Sequence, residues 1–193
     1  VGDEGHGELA VAGQSFVLIH DLDWADQLIG LGDDLTHYET LSPVFEEVDG
    51  YIGSAPLGRA FFTGYESNGE ARVWTTDGTP SGTRAIFPSD GYAFSYDAIR
   101  SGSDWIVLAS ITVANTYELQ VWRTDGTVAG SSTLAALPIL DEPENSRLVE
   151  LPGFFLFTSP TPNQYAELWA IPASGGTPTA ILPSGVTLPR WDR

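Results

Sequence analysis

Lysine, cysteine and methionine are absent from this chain of 193 residues. Without cysteine there are no disulfides, no thiol nucleophile and no thiolate-ligated zinc. Without lysine the only basic side chains are eight arginines, set against 26 acids, for a formal charge of −18. So acidic a chain repels phosphate backbones, which excludes a nucleic-acid binder that works through basic patches. No apolar run approaches the roughly 18 residues of a membrane helix. Runs such as Trp105 to Ala109 and Gly153 to Phe157 are the size of strands. No segment sustains a helical period. The chain opens on Val1 without a signal peptide, as a processed product, a trimmed chain or a fragment would.

What is present is the vocabulary of strands and turns. Hydrophobic residues make up 42% of the chain and aromatics 11%, enough to bury a core. The 21 Gly and 13 Pro punctuate short runs rich in Val, Ile, Phe, Trp and Thr. The chain also repeats itself. Val73-Trp74-Thr75-Thr76-Asp77-Gly78-Thr79 returns forty-eight residues later as Val121-Trp122-Arg123-Thr124-Asp125-Gly126-Thr127. Glu167-Leu168-Trp169 follows forty-seven residues after that, with Gly175-Gly176-Thr177 in place of Asp-Gly-Thr. A degraded copy lies upstream at Leu28 to Asp34, where Ile29 replaces Trp and Asp33-Asp34 replaces Gly-Thr.

Strand-like runs keep the same beat, four to a repeat, over about 7–50, 51–91, 92–145 and 146–184. Units of roughly 45 residues with four antiparallel strands describe the blades of a β-propeller. The expectation is an all-β single domain over 1–193, a propeller of four four-stranded blades or an arc of a larger one. Asp-Gly after the third strand is a hairpin signal, since Gly tolerates positive φ and the carboxylate can cap following amides. The Trp before each turn suits the wedge between neighbouring blades. The tail, 185–193, is expected to clasp the ring through Val186 to Leu188 or to begin a further blade.

Val73 to Thr83 and Val121 to Gly130, with Ser131 where Thr would stand, resemble the bacterial repeat family named for its Glu-Leu-Trp-x-x-Asp-Gly-Thr motif. Glu167 to Trp169 supplies the opening triplet alone. The resemblance covers roughly 58–184 well and 7–50 poorly. It implies a propeller-like fold and an extracytoplasmic bacterial protein, and it implies no catalytic residue. The fourth repeat, Leu-Trp-Ala-Ile-Pro-Ala-Ser-Gly-Gly-Thr-Pro, also looks like a blade of TolB-type propellers.

Three constellations are candidates for function. Asp21, Asp23 and Asp26 lie between the second and third strands of the first repeat and offer hard oxygen ligands to Ca2+, although EF-hand spacing is missing. Glu8, Asp97 and Glu150 stand on first strands, where propeller hydrolases place paired carboxylates around a funnel. Trp24, Tyr65, Tyr117 and Tyr165 recur beside the loops joining strands two and three, one per repeat. Loops at one place in every blade share a rim, which suits a glycan or protein partner. His6, His20 and His37 lack a metal-ligand spacing, and neither a Gly-x-Ser-x-Gly elbow nor a Walker lysine occurs.

The charge is also uneven: residues 1–50 hold twelve acids and no Arg, while 151–193 hold two of each. The acid excess therefore marks the first repeat, a surface for Ca2+ or a basic partner. The leading expectation is a non-enzymatic extracytoplasmic binding or structural module, possibly one subunit of a larger assembly. A carbohydrate-active enzyme using inner-strand carboxylates is the alternative.

Overall fold

The computed structural model describes residues 9–12, 15–21, 25–31, 37–54, 58–87, 92–113, 116–139, 146–160, 165–181 and 188–189. The chain divides into two compact units, Val1–Pro88 and Ser89–Arg193. In the first, β1 (Leu9–Ala12), β2 (Ser15–Asp21), β3 (Asp26–Leu31) and β4 (Tyr38–Phe45) form one sheet. A second sheet contains β5 (Glu47–Ser54), β6 (Arg59–Tyr65), β7 (Ala71–Thr76) and β8 (Arg84–Ala85). In the second unit, β9 (Ala93–Ser101), β10 (Asp104–Val113), β11 (Thr116–Thr124) and β12 (Ser132–Ile139) make the third sheet. The fourth has β13 (Leu148–Leu151), β14 (Phe154–Pro160), β15 (Tyr165–Pro172) and β16 (Thr179–Ala180). Each is an antiparallel meander in chain order, which is the construction of a propeller blade. The tail contributes β17 (Leu188–Pro189), which pairs with Tyr165 and Ala166 and so extends the outer edge of the fourth blade itself.

Both β4 and β12 run past a proline, Pro43 and Pro138, that as a strand breaker ends them early in sequence. Each is an edge strand of its sheet, where a proline is tolerated, and Pro43 falls at the register shift between β3 and β4. The first blade consequently ends at Phe45 and the second begins at Glu47, four residues ahead of the start expected at residue 51.

Facing blades within each unit bury each other's apolar faces. In the first unit Leu28, Leu41 and Phe45 meet Ala60, Phe62 and Trp74. Trp74 lies in that wedge, its ring 5.0 Å edge-on from Phe45 and stacked at 6.3 Å on Phe62. In the second unit Ile106, Leu108, Leu119 and Val121 meet Leu148, Phe155, Phe157 and Ile171, with Trp169 packed against them. Trp122 is buried and donates its indole N–H to Gln120 at 2.9 Å. The repeating Trp is thus packing material, as its spacing indicates.

The Asp-Gly loops are longer than a tight hairpin and are built by hydroxyls. Gly78 and Gly126 take φ of 86° and 90°, which a Cβ would disfavour. The Asp77 carboxylate accepts from the Thr79 N–H at 3.1 Å and its hydroxyl at 2.7 Å; Asp125 does the same for Thr127 at 2.8 and 2.7 Å. The chain then turns through Pro80–Gly82, where Thr79 caps the Gly82 N–H. A hydroxyl pair closes each loop: Thr76 with Thr83, and Thr124 with Ser131, both at 2.6 Å. Arg59 straps the second blade's loop, reaching Asp77 at 3.3 Å and the Gly82 carbonyl at 3.1 Å. In the third blade Asp104 takes the position of Arg59 at the start of the second strand; it pairs with Arg123 at 3.9 Å, and Arg123 also donates to the Ala173 carbonyl of the fourth blade at 2.7 Å.

Candidate functional site

The two acids that sequence reasoning puts forward for different chemistries turn out to do the same work. Asp26 begins β3, and its Oδ2 accepts the N–H of Val48, on the first strand of the next blade, at 2.8 Å. Asp97 lies in β9, and its Oδ2 accepts the N–H of Leu148, again on the first strand of the next blade, at 2.9 Å. The other Asp97 oxygen accepts from the Ala98 N–H at 2.9 Å. Both carboxylates are therefore staples between blades, each satisfying a main-chain donor at a strand start that lacks a partner on that side.

Half-burial pushes the Asp97 carboxyl above the usual carboxylate range, against the opposing pull of the Leu148 and Ala98 N–H groups and the Arg147 charge. An acid with a raised native pKa holds its proton to higher pH folded than unfolded. Its contribution to stability is present at low pH and is lost as pH rises through the native value. Wild type should therefore gain stability relative to Asp97→Asn on going from about pH 7 to about pH 4. Urea midpoints measured across that range test this; a difference that stays constant or shrinks toward acid contradicts it.

Glu150 is exposed and accepts from the Ser101 hydroxyl at 2.7 Å, a further link from β9 to β13. Register separates it from Asp97: Asp97 lies opposite Leu108 and Glu150 opposite Phe155. Glu8 lies outside the described residues, as do Asp23 and Trp24. Asp21 pairs with Asp26 through the backbone across β2 and β3. No group of three metal-ligating side chains occurs among the described residues.

The aromatics occupy equivalent ends of their blades. Tyr65 closes β6, Tyr117 is the second residue of β11, and Tyr165 opens β15. Tyr117 and Tyr165 thus share one end of the second unit's sheets. Tyr117 is partly buried and packs against the core cluster of that unit, while Tyr65 is half-buried. Sequence reasoning missed the stapling role of Asp26 and Asp97 because their partners lie 22 and 51 residues away. It places Gly82 and Gly130 within the runs that match the repeat motif but gives them no structural role.

No family model matches the sequence, and no curated protein matches it. Solved structures do. A mutant sialidase of Trypanosoma rangeli with trans-sialidase activity is 10% identical, with a TM-score of 0.52 over 91% of this chain and 37% of that one. A subtype N11 neuraminidase-like protein of A/flat-faced bat/Peru/033/2010 (H18N11) is 11% identical, with a TM-score of 0.50 over 89% of this chain and 52% of that one. TolB from Acinetobacter baumannii is 10% identical at a TM-score of 0.49, over 93% of this chain and 45% of that one. The chain therefore spans between 37% and 52% of the lengths of these structures. At such identities the likeness is one of fold: the chain is all-β and built of β-propeller blades.

Proposed function

We propose that the chain is a non-enzymatic binding or structural module, acting outside the cytoplasm and taking a protein or glycan partner. The observation that carries this reading is the use of Asp26 and Asp97 as staples between blades. The glycosidase alternative calls for inner-strand carboxylates free to meet substrate. Here the Asp97 oxygens already accept two main-chain N–H groups, and Glu150 is bonded to Ser101. The extracytoplasmic setting follows from the resemblance to the Glu-Leu-Trp-x-x-Asp-Gly-Thr repeats. No helix among the described residues is long and apolar enough to cross a membrane.

Trp24 and the blade end that carries Tyr65 in the first unit, and the blade ends that carry Tyr117 and Tyr165 in the second, are the surfaces assigned to a partner. Calcium at Asp21, Asp23 and Asp26 would have to share Asp26 with the Val48 N–H. Panels of immobilised glycans and of basic proteins test the reading. Replacing Trp24, Tyr65 and Tyr165 together with Ala should weaken capture at least about fivefold while leaving the melting temperature unchanged. Capture that survives all three replacements removes the rim. Glycan turnover by the wild type that disappears in a folded Asp97→Asn or Glu150→Gln variant would establish the enzymatic alternative instead.

A further inference from the structure

Of the four asparagines in the chain, Asn68 alone precedes a glycine; Asn115, Asn145 and Asn163 precede Thr, Ser and Gln. With Ser67 and Gly69 it forms the exposed tip of the hairpin between β6 and β7. The Gly69 N–H donates to the Glu66 carbonyl at 2.9 Å, and the Glu66 N–H to the Glu70 carbonyl at 2.8 Å. Gly69 takes φ of 79°, and nothing lies within 4 Å of where a Cβ would stand. Neither a side chain of its own nor a neighbour therefore crowds this glycine.

Glu70 holds the Asn68 amide at both ends. The Glu70 N–H donates to Asn68 Oδ1 at 3.0 Å. The Glu70 carboxylate takes a hydrogen bond from the same amide, and Arg72 first and then Asn68 keep it below the usual carboxylate range. A main-chain N–H on the oxygen stabilises charge that develops there when the carbonyl carbon is attacked. A carboxylate beside the nitrogen favours the protonation that lets it leave.

We propose that Asn68 is a site of self-modification, at which the main-chain nitrogen of Gly69 displaces the side-chain amide as ammonia. A bond forms between Gly69 N and Asn68 Cγ, the Cγ–Nδ2 bond breaks, and the proton of the Gly69 N–H leaves with the ammonia. The product is a cyclic imide. Water then opens it at Cγ to give Asp, or at the main-chain carbonyl carbon to give isoaspartate, in which the chain runs through Cβ and Cγ. Water is the sole co-reactant. The bond from Gly69 to Glu66 has to open first, and such opening costs little at an exposed turn tip.

The motif loops have the same side-chain geometry without this reactivity. Asp77 and Asp125 also accept the N–H two residues on, from Thr79 and Thr127. There the leaving group would be an ionised oxygen. The attacking nitrogens are also held, since Gly78 and Gly126 donate to the buried hydroxyls of Thr76 and Thr124 at 3.1 and 3.0 Å. At Asn68 each event sets a new negative charge between Glu66 and Glu70, which already share Arg72, beside Tyr65 at the end of β6.

The test is to keep the full chain in mildly alkaline buffer for weeks, with peptide mapping by mass and enzymatic methylation of isoaspartate. Asn68 should convert at least about tenfold faster than Asn115, Asn145 or Asn163, and at least about tenfold faster than isoaspartate forms at Asp77 or Asp125. Its rate should also lie within about tenfold of that in the urea-unfolded chain. Both Asp and isoaspartate should accumulate. Glu70→Gln keeps the main-chain N–H and should slow conversion about threefold or more. An Asn68 no faster than the other asparagines overturns the proposal. So does one slowed more than about tenfold by folding, or one that yields Asp without isoaspartate, the product of direct hydrolysis. An unchanged rate in folded Glu70→Gln overturns the part given to that carboxylate.

Discussion

Replacing Phe45 with Ala is expected to destabilise the first unit by about 3–5 kcal/mol, the cost of removing a fully enclosed aromatic ring. Phe45 is 1% exposed and is the last residue of β4, so it reaches from the first blade into the second. Its ring meets Trp74 edge-on at 5.0 Å and Phe62 at 5.9 Å. It also lies over Gly64, where a Cβ would fall 2.7 Å from its Cε1. Three neighbours are thus shaped around one ring, and none can collapse into the space it leaves without a backbone shift. Denaturant titration followed by tryptophan fluorescence checks this, since Trp74 reports the same wedge. Val44→Ala, one residue earlier and exposed, serves as the control and should change stability by less than about 0.5 kcal/mol. A Phe45→Ala variant that unfolds with the wild type would mean that the two blades are not held together here.

The second large effect is expected from a single methyl group. Gly82→Ala should cost about 2–4 kcal/mol, because the loop has no room for a Cβ there. An added Cβ would stand 1.8 Å from Oδ1 of Asp77 and 2.1 Å from its Cγ. The carboxylate cannot swing aside freely, since it holds the Thr79 N–H and hydroxyl and is met by Arg59. Gly130 is in the same position against Asp125, with 2.2 Å to Cγ, and should respond alike. The cause is packing and not backbone freedom, so it can be isolated by a double-mutant cycle. Asp77→Ala combined with Gly82→Ala should be more stable than the two separate costs imply, by about 1 kcal/mol or more. Strict additivity would show that the carboxylate is not what excludes the methyl group.

Both residues show what a single sequence discloses. The blades, their order and the Trp wedges were legible because Trp74 and Trp169 sit on strands whose period and turn residues repeat. The Asp-Gly loops were legible for the same reason, down to a carboxylate that caps the following amides. Phe45 was not, because Pro43 reads as a stop until β4 is known to be an outer strand. The candidate acids were visible as residues but not as staples. An ionisable group opposite a main-chain N–H 22 or 51 residues away leaves no local pattern. The fourth blade is a third case: Val149, Leu151 and Phe154 read as ordinary strand residues. Only the register, which puts the core on Leu148 and Phe155, shows which side they occupy.

The hydroxyl pairs that close the Asp-Gly loops carry a consequence for how this repeat can change over time. Thr76 meets Thr83 and Thr124 meets Ser131 at the same 2.6 Å, so the position is defined by an oxygen and is indifferent to the methyl group beside it. The loop's information is held as a wiring diagram of donors and acceptors, and the letters that satisfy it are interchangeable. Copies of one blade can therefore drift apart in spelling while their loops remain superimposable. That leaves shape as the longer-lived record of their common origin.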